Sequence, residues 1–204
     1  MLLVLRLVLV VAVAVLAAAA TPAKSAKAGL LTCMDKVEYP FAQWGDSSKY
    51  TLAPNGSLEL GATGWSLAGG ARVVAQNNSL RSGKYSLSLP AGASATSPAA
   101  CVKLADPASR FFLRNAGVST GKLKVEVQYR TLLGLLPVTA TLGYVTAGGT
   151  WQPSPKYGHL LANILGTLGL NKNLSASLRF KFTAVGSGSS FQVDDLFVDP
   201  LLQV

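Results

Sequence analysis

The sequence predicts an all-β protein, an antiparallel jelly-roll β-sandwich preceded by a signal peptide. Three observations predict this fold. Segments whose side chains alternate between apolar and polar recur along the chain, glycine-rich turns separate them, and no amphipathic helix of three turns is evident. Short strands that recur with such turns favour two packed antiparallel sheets over a parallel α/β sheet.

The first residues predict a cleavable secretory signal over 1–23. Arg6 stands near the amino terminus, and the apolar run that follows it ends in alanines. This is the order of a signal peptide, and small residues up to position 28 offer further cleavage positions. The alternative is a retained membrane anchor, because a run of about 18 apolar residues can span a bilayer. The polar segment that follows favours cleavage, so we expect a secreted or extracytoplasmic protein without stable membrane insertion.

The mature chain is predicted to contain an extended lead-in over 24–54 and one sandwich domain over 55–200. Two segments, 122–130 and 176–183, alternate strictly between apolar and polar side chains, as a half-buried strand does. Further predicted strands are 65–67, 71–75, 85–89, 100–104, 110–114, 138–146 and 191–199. The segment 159–170 is compatible with a short helix or with a buried strand and a turn.

The mature chain is basic and contains one pair of cysteines. From position 28 onward there are 15 basic and 9 acidic residues, a formal surplus of six positive charges. This surplus favours contact with an anionic polymer, and no nucleic-acid-binding motif accompanies it. In an oxidising compartment, Cys33 and Cys101 predict a disulfide.

Four motifs, taken in order, resemble a known family. They are NGSLE at 55–59, GW at 64–65, SGKYSL at 82–87 and FQVDDL at 191–196. Their order is similar to that in jelly-roll carbohydrate-binding modules of the galactose-binding-like superfamily, and the similarity covers about 54–200. The resemblance implies an antiparallel sandwich whose first and last strands lie side by side.

The same resemblance implies a structural calcium ion. It would place the carboxylate of Glu59 and a carboxylate from Asp194 or Asp195 on the ion, with main-chain carbonyls of 81–84. Calcium takes six to eight oxygen ligands of these kinds. The alternative is that these carboxylates are solvated or pair with the basic residues Arg81 and Lys84 of the same turn.

Sugar binding requires aromatic rings that stack on pyranose rings. The aromatic residues considered for this role are Trp44, Tyr50, Tyr129, Tyr144, Trp151 and Tyr157. Trp151 and Tyr157 flank a proline-bearing segment predicted as a loop or edge, so they are the preferred platforms, whereas the alternative for each is packing in the core.

Basic residues on the polar side of alternating strands predict a positively charged sheet face. The residues assigned to this face are Lys122, Lys124, Arg130, Arg179 and Lys181, and Arg110 and Arg114 are similarly spaced. Such a face suits an acidic polysaccharide or an anionic cell-surface polymer, and the alternative is a solvated face that discourages aggregation.

The sequence offers few candidates for catalysis. The chain has one histidine, and it lacks a phosphate-binding loop and a zinc-protease motif. We therefore expect a non-catalytic extracellular binding module for carbohydrate or a cell-envelope polymer. The alternative is a structural or protein-interaction domain of the cell envelope.

Overall fold

The described residues form two antiparallel β-sheets, which confirms the predicted all-β sandwich. The computed structural model describes residues 36–103, 108–118, 120–131, 136–159, 161–162, 164 and 175–199. The predicted signal peptide and Cys33 lie outside the described residues, so the leader and the disulfide stay predictions. No helix among the described residues is long and apolar enough to cross a membrane.

In the part of the chain that the structure describes, the first sheet contains eight strands. They are β1 (Val37–Glu38), β2 (Tyr50–Leu52), β4 (Arg72–Val74), β5 (Ser86–Pro90), β8 (Ala108–Asn115), β11 (Gln152–Pro153), β12 (Tyr157–Gly158) and β14 (Ser190–Val198). The long strand β14 lies at the centre, with β8 along one side and β5 followed by β2 along the other. The first and last strands therefore share one sheet.

The second sheet contains six strands among the described residues. They are β3 (Ser66–Ala68), β6 (Ser94–Thr96), β7 (Ala100–Lys103), β9 (Lys122–Thr131), β10 (Leu136–Val145) and β13 (Ser175–Val185). Strand β13 pairs with β9 along one side and with β7 and β6 along the other, while β10 covers the far edge of β9. The strictly alternating segments 122–130 and 176–183 lie within β9 and β13.

The main core lies between the two sheets. Phe111 and Phe191 from the first sheet and Val125, Phe180 and Phe182 from the second are all 0% exposed. Since successive side chains of a strand point to opposite faces, the residues between these positions face away from the core. The alternation read from the sequence thus specifies which side chains are available for ligands.

A bulge in β14 reverses this alternation. The pairing with β8 shifts between Asp194 and Phe197, and Asp195 adopts a left-handed backbone with φ of 47°. Val193 faces the main core before the bulge and Leu196 faces it afterwards. The extra residue therefore turns Phe197 to the outer face of the first sheet.

Phe197 belongs to a second buried cluster on that outer face. Its other members are Phe41, Tyr50 and Phe112, and the rings of Phe41 and Tyr50 meet edge to face at 5.0 Å. Phe41 precedes a short 3-10 helix, Ala42–Trp44. Residues 36–54, predicted as an extended lead-in, thus supply β1 and β2 and cover part of the first sheet. Leu161, Ala162 and Ile164, the described residues of 160–170, are helical.

Candidate functional site

Four of the sequence-predicted basic residues lie together on the outer face of the second sheet, whereas Arg110 and Arg114 lie on β8 of the first sheet. Lys122 and Lys124 come from β9, and Arg179 and Lys181 come from β13. In each strand they alternate with buried apolar residues, so their side chains point away from the core. The structure therefore assembles the predicted charged face.

Cross-strand pairing arranges this face in straight rows. One row runs from Thr141 through Glu126, Lys181 and Thr96 to Ser66, one residue from each of five strands. Neighbouring strands lie about 4.8 Å apart, so the row is about 19 Å long. We call these five residues the second-sheet row. The row presents hydroxyl, carboxylate and ammonium groups along one line.

Glu126 lies in the middle of the second-sheet row and is only 8% exposed. The Lys124 Nζ lies 2.6 Å from Glu126 Oε1, and the Lys181 Nζ lies 4.0 Å from Oε2. The hydrogen bond to Glu126 raises the pKa of Lys124. Two ammonium groups thus flank one carboxylate, and together they offer both donors and an acceptor to a bound hydroxyl group.

Tyr144 places an exposed aromatic ring on the same face. Its side chain is 56% exposed, and its backbone pairs with Lys124, next to the second-sheet row. The pairing of β10 with β9 shifts between Thr141 and Gly143, so Gly143 faces inward and Tyr144 faces outward. A Cβ at Gly143 would lie 3.2 Å from the Tyr157 ring, which is consistent with the inward orientation.

The sequence analysis considered Tyr144 but did not prefer it. Regular alternation along β10 would place Tyr144 on the same side as Ala140 and Leu142, which are both partly buried against the core. Only the shift after Thr141 brings it to the polar face, and the alternation of apolar and polar residues does not record that shift. The inward glycine beside it is the one available sequence signal.

Tyr157 is not an exposed platform. It is 6% exposed, and its ring stacks on Phe111 in the main core, with centroids 5.9 Å apart and planes 3° from parallel. Burial raises the pKa of its hydroxyl to about 12. The preference for Tyr157 as a sugar platform is therefore corrected, because its ring is buried and stacks on Phe111.

Trp151 lies on the opposite face of the sandwich from the four basic residues. It precedes β11 and packs against the Phe41 cluster on the outer face of the first sheet. The Arg114 guanidinium carbon lies 5.6 Å from the centroid of its ring. The structure therefore separates the predicted ligand residues into two surfaces, and Trp151 supports an arginine instead of presenting an open ring.

The residues predicted for calcium already have protein partners. Glu59 Oε1 accepts hydrogen bonds from the main-chain N–H groups of Lys84 and Tyr85, at 2.7 and 3.1 Å. The Asp195 Oδ2 accepts a hydrogen bond of 2.8 Å from Asn78 Nδ2, and Arg81 Nε lies 3.2 Å from the same oxygen. The sequence left open that these carboxylates pair with basic residues of the turn. Asp195 pairs in this way, with Arg81.

An arginine side chain lies beside one of the carboxylates predicted for calcium. The Arg81 guanidinium lies against Asp195 and also pairs with Glu38 at 2.8 Å, so positive charge already occupies this side of the carboxylate. Among the described residues, no three His, Cys, Asp or Glu side chains gather in a group that could hold a metal. A second cation beside Arg81 would be repelled by it.

Asp194 is the other buried acid of this region. It accepts hydrogen bonds from the main-chain and side-chain nitrogens of Asn78 and from the Asp195 N–H, at 2.8 to 3.1 Å. Burial, followed by the neighbouring Asp195, raises the pKa of Asp194 to about 8. Desolvation disfavours the charged form of a carboxyl group in this way.

No family model matches this chain, and no curated protein matches it. Solved structures with a similar fold include the family 22 carbohydrate-binding and xylanase modules of the Clostridium thermocellum endo-1,4-β-D-xylanase 10B, complexed with xylohexaose. That structure is 16% identical over 72% of this chain, with a TM-score of 0.50, and this chain spans 28% of it. At this level of identity, the similarity concerns the fold alone.

Two further structures are similar over nearly their whole length. The family 22 xylan-binding domain of a Paenibacillus barcinonensis protein is 17% identical over 72% of this chain and 93% of its own, with a TM-score of 0.47. A Clostridium thermocellum family 11 module, in complex with a mixed-linked tetrasaccharide, is 10% identical over 76% and 98%, with a TM-score of 0.47. The structure with a TM-score of 0.50 confirms the predicted resemblance to carbohydrate-binding modules for the fold.

Proposed function

We propose that this protein is a non-catalytic extracellular module that binds a polysaccharide along the outer face of its second sheet. The observation that carries the proposal is the exposed Tyr144 ring beside the second-sheet row. Binding of sugars requires an apolar ring face together with a few fixed polar groups that orient the hydroxyls. This face supplies the ring from Tyr144 on β10 and polar groups from Lys124 and Glu126 on the neighbouring strand β9.

The geometry of the row suits an extended polymer. A line of about 19 Å across five strands accommodates several consecutive sugar units of a chain that runs perpendicular to the strands. Tyr144 would stack on one unit. Lys124, Glu126 and Lys181 would hydrogen-bond hydroxyls of that unit and its neighbour, since ammonium groups donate and the carboxylate accepts.

The rigidity of the site supports the same function. Each of these side chains lies on a strand of the sheet, and Arg179 is fixed on the same face by a hydrogen bond of 3.2 Å from Nη1 to the Ser97 carbonyl. Little side-chain freedom is lost when a ligand binds a face that is already ordered, which favours affinity. The predicted signal peptide supports an extracellular location.

Tyr144→Ala tests the proposal. We expect it to weaken binding to the preferred polysaccharide by at least tenfold, the loss typical of an aromatic anchor that contributes about 1.4 kcal/mol or more. Affinity electrophoresis on xylan, mixed-linkage glucan, galactan and polygalacturonate first identifies the preferred polysaccharide. Isothermal titration calorimetry then measures the affinity of the parent protein and the variant for it. Glu126→Gln, which keeps the side-chain shape, should also weaken binding.

The matched control is Tyr39→Ala. Tyr39 is 54% exposed, nearly the same as the 56% of Tyr144, but it lies in the segment between β1 and β2 of the other sheet. Its removal should leave affinity within twofold of the parent protein. Equal losses for both variants, or no binding of the parent protein to any polysaccharide, would contradict the proposal and favour a protein-interaction domain.

A further inference from the structure

A second row of polar side chains crosses the outer face of the first sheet. Backbone pairing aligns Arg72 of β4, Ser88 of β5, Gln192 of β14 and Arg114 of β8. The two arginines stand about 14 Å apart along the row at the usual strand spacing. Trp151 extends the row beyond Arg114. In the antiparallel pairing of β11 with β8, Gln152 pairs with Leu113, so Trp151 lies opposite Arg114. We call this set the first-sheet row.

Arg114 is held in one orientation by its neighbours. Its Nε donates a hydrogen bond of 2.7 Å to Gln192 Oε1, and Gln192 Nε2 donates one of 2.7 Å to Gln76 Oε1. Gln192 is 7% exposed, so the acceptor that fixes the guanidinium is itself fixed. The indole ring of Trp151 supports the guanidinium at 5.6 Å.

One edge of the Arg114 guanidinium is left for a ligand. Its Nε is committed to Gln192, whereas its two Nη nitrogens make no hydrogen bond within the described part of the chain. A guanidinium whose Nη edge is presented in a fixed plane matches the two oxygens of a carboxylate, sulfate or phosphate group. Such a pre-oriented fork loses little conformational entropy when it binds an oxyanion.

The surrounding charges favour an anion. The first-sheet row contains two arginines and no carboxylate. The next acidic residue on this face of β14 is Asp194, which is 1% exposed and is covered by the Asn78 hydrogen bonds. A ligand at the Arg114 edge therefore meets the positive charges without a competing solvent-exposed carboxylate nearby on β14.

We propose that Arg114 is the centre of a second binding site, which takes the oxyanion groups of an acidic polysaccharide on the sheet face opposite Tyr144. Arg114 binds one oxyanion through its Nη edge, Gln192 and Trp151 position it, and Arg72 contacts a further charged unit of the polymer. The two sites share no side chain, so this inference stands independently of the polysaccharide site on the second sheet.

The experiment measures affinity for four polymers at physiological ionic strength by biolayer interferometry. Polygalacturonate presents carboxylates, dextran sulfate presents sulfates, wall teichoic acid presents phosphates, and dextran is uncharged. Arg114→Gln should weaken binding at least tenfold for the polyanion that the site prefers. It should leave the affinity for dextran unchanged. The polymer that shows the loss identifies the oxyanion.

The controls separate a shaped site from general electrostatic attraction. Lys84→Gln removes one exposed positive charge from the turn before β5 and should change affinity less than twofold, because distant surface charges are screened at this ionic strength. Arg114→Lys keeps the charge but loses the planar fork, and should recover only part of the affinity. Arg72→Gln is an exposed substitution that leaves the core untouched, and it should weaken polyanion binding about threefold.

Three results would overturn the inference. They are unchanged polyanion binding in Arg114→Gln, an equal loss in Lys84→Gln, and full affinity in Arg114→Lys. Thermal melting of each variant verifies that the fold persists. Binding of the same polyanion is also measured for Tyr144→Ala, which should retain the part of the affinity that depends on Arg114. Failure of one site is therefore distinguishable from failure of the other.

Discussion

Arg81 offers the most decisive test of how this fold holds its buried acids. Its guanidinium pairs with Asp195 at 3.2 Å and with Glu38 at 2.8 Å, and its Cζ lies 4.9 Å from the Phe197 ring centroid. We infer that this side chain neutralises the region where the family resemblance implies calcium. Arg81→Met removes the charge and keeps much of the apolar stem.

The expected cost follows from the exposure of the partners. Removing one partner of a fully buried ion pair costs about 3–5 kcal/mol, because the remaining charge is left unpaired. The Asp195 side chain is 5% exposed but that of Arg81 is 26% exposed, so water reaches part of the pair. Asn78 also continues to donate to Asp195. We therefore expect a loss of about 2–3 kcal/mol, or about 5–10 °C in Tm for a domain of this size.

The assay is urea unfolding followed by tryptophan fluorescence, with Lys84→Met as the control. Lys84 is an exposed residue of the same turn, and its change should stay within about 0.5 kcal/mol. In a double-mutant cycle with Asp195→Asn, the two losses should be less than additive by at least about 1 kcal/mol, because they remove one shared interaction.

A calcium titration completes this test. The parent protein should melt at the same temperature with millimolar calcium and with chelator, since a ligand that binds only the folded state would raise the Tm. An Arg81→Met variant as stable as the parent would refute the reasoning. A calcium-dependent rise in the parent Tm would support the calcium site that the family resemblance implies.

Two further predictions concern stability. Phe41→Ala should cost about 3–5 kcal/mol in the free energy of unfolding, because Phe41 is 0% exposed and anchors the cluster over the first sheet; urea unfolding checks this, and a loss below about 1 kcal/mol would mean that the segment before β2 contributes little. The free energy of unfolding should fall as pH rises from about 5 to 8. Between the ordinary pKa of 3.8 and the folded value of about 8, Asp194 keeps its proton in the folded state and loses it in the unfolded state. Urea titrations at both pH values should show the fall, Asp194→Asn should reduce it, and rising stability over this interval would contradict the assignment.

The sequence predicted the strands and much of the surface from local patterns alone. The alternation in 122–130 and 176–183 placed β9 and β13 correctly, and it put Lys122 and Arg179 on one face. Such predictions succeed because side-chain direction in a strand repeats every two residues and needs no knowledge of partner strands.

Predictions that depended on strand register were less successful. Tyr144 reaches the polar face only through the irregular pairing after Thr141, and Phe197 reaches the outer face only through the bulge after Asp194. Each irregularity inserts one residue relative to a neighbouring strand and reverses every later side chain. Because the neighbour is distant in sequence, no local pattern records the reversal.

The amino-acid sequence by itself determined that this chain forms an antiparallel sandwich with a basic sheet face, because alternation and glycine-rich turns act locally. Only the tertiary structure decided that Tyr157 packs in the core, that Trp151 supports Arg114 on the opposite sheet, and that Arg81 pairs with Asp195. These outcomes depend on contacts between residues up to 114 positions apart, such as that between Arg81 and Asp195, which exist only after the chain has folded.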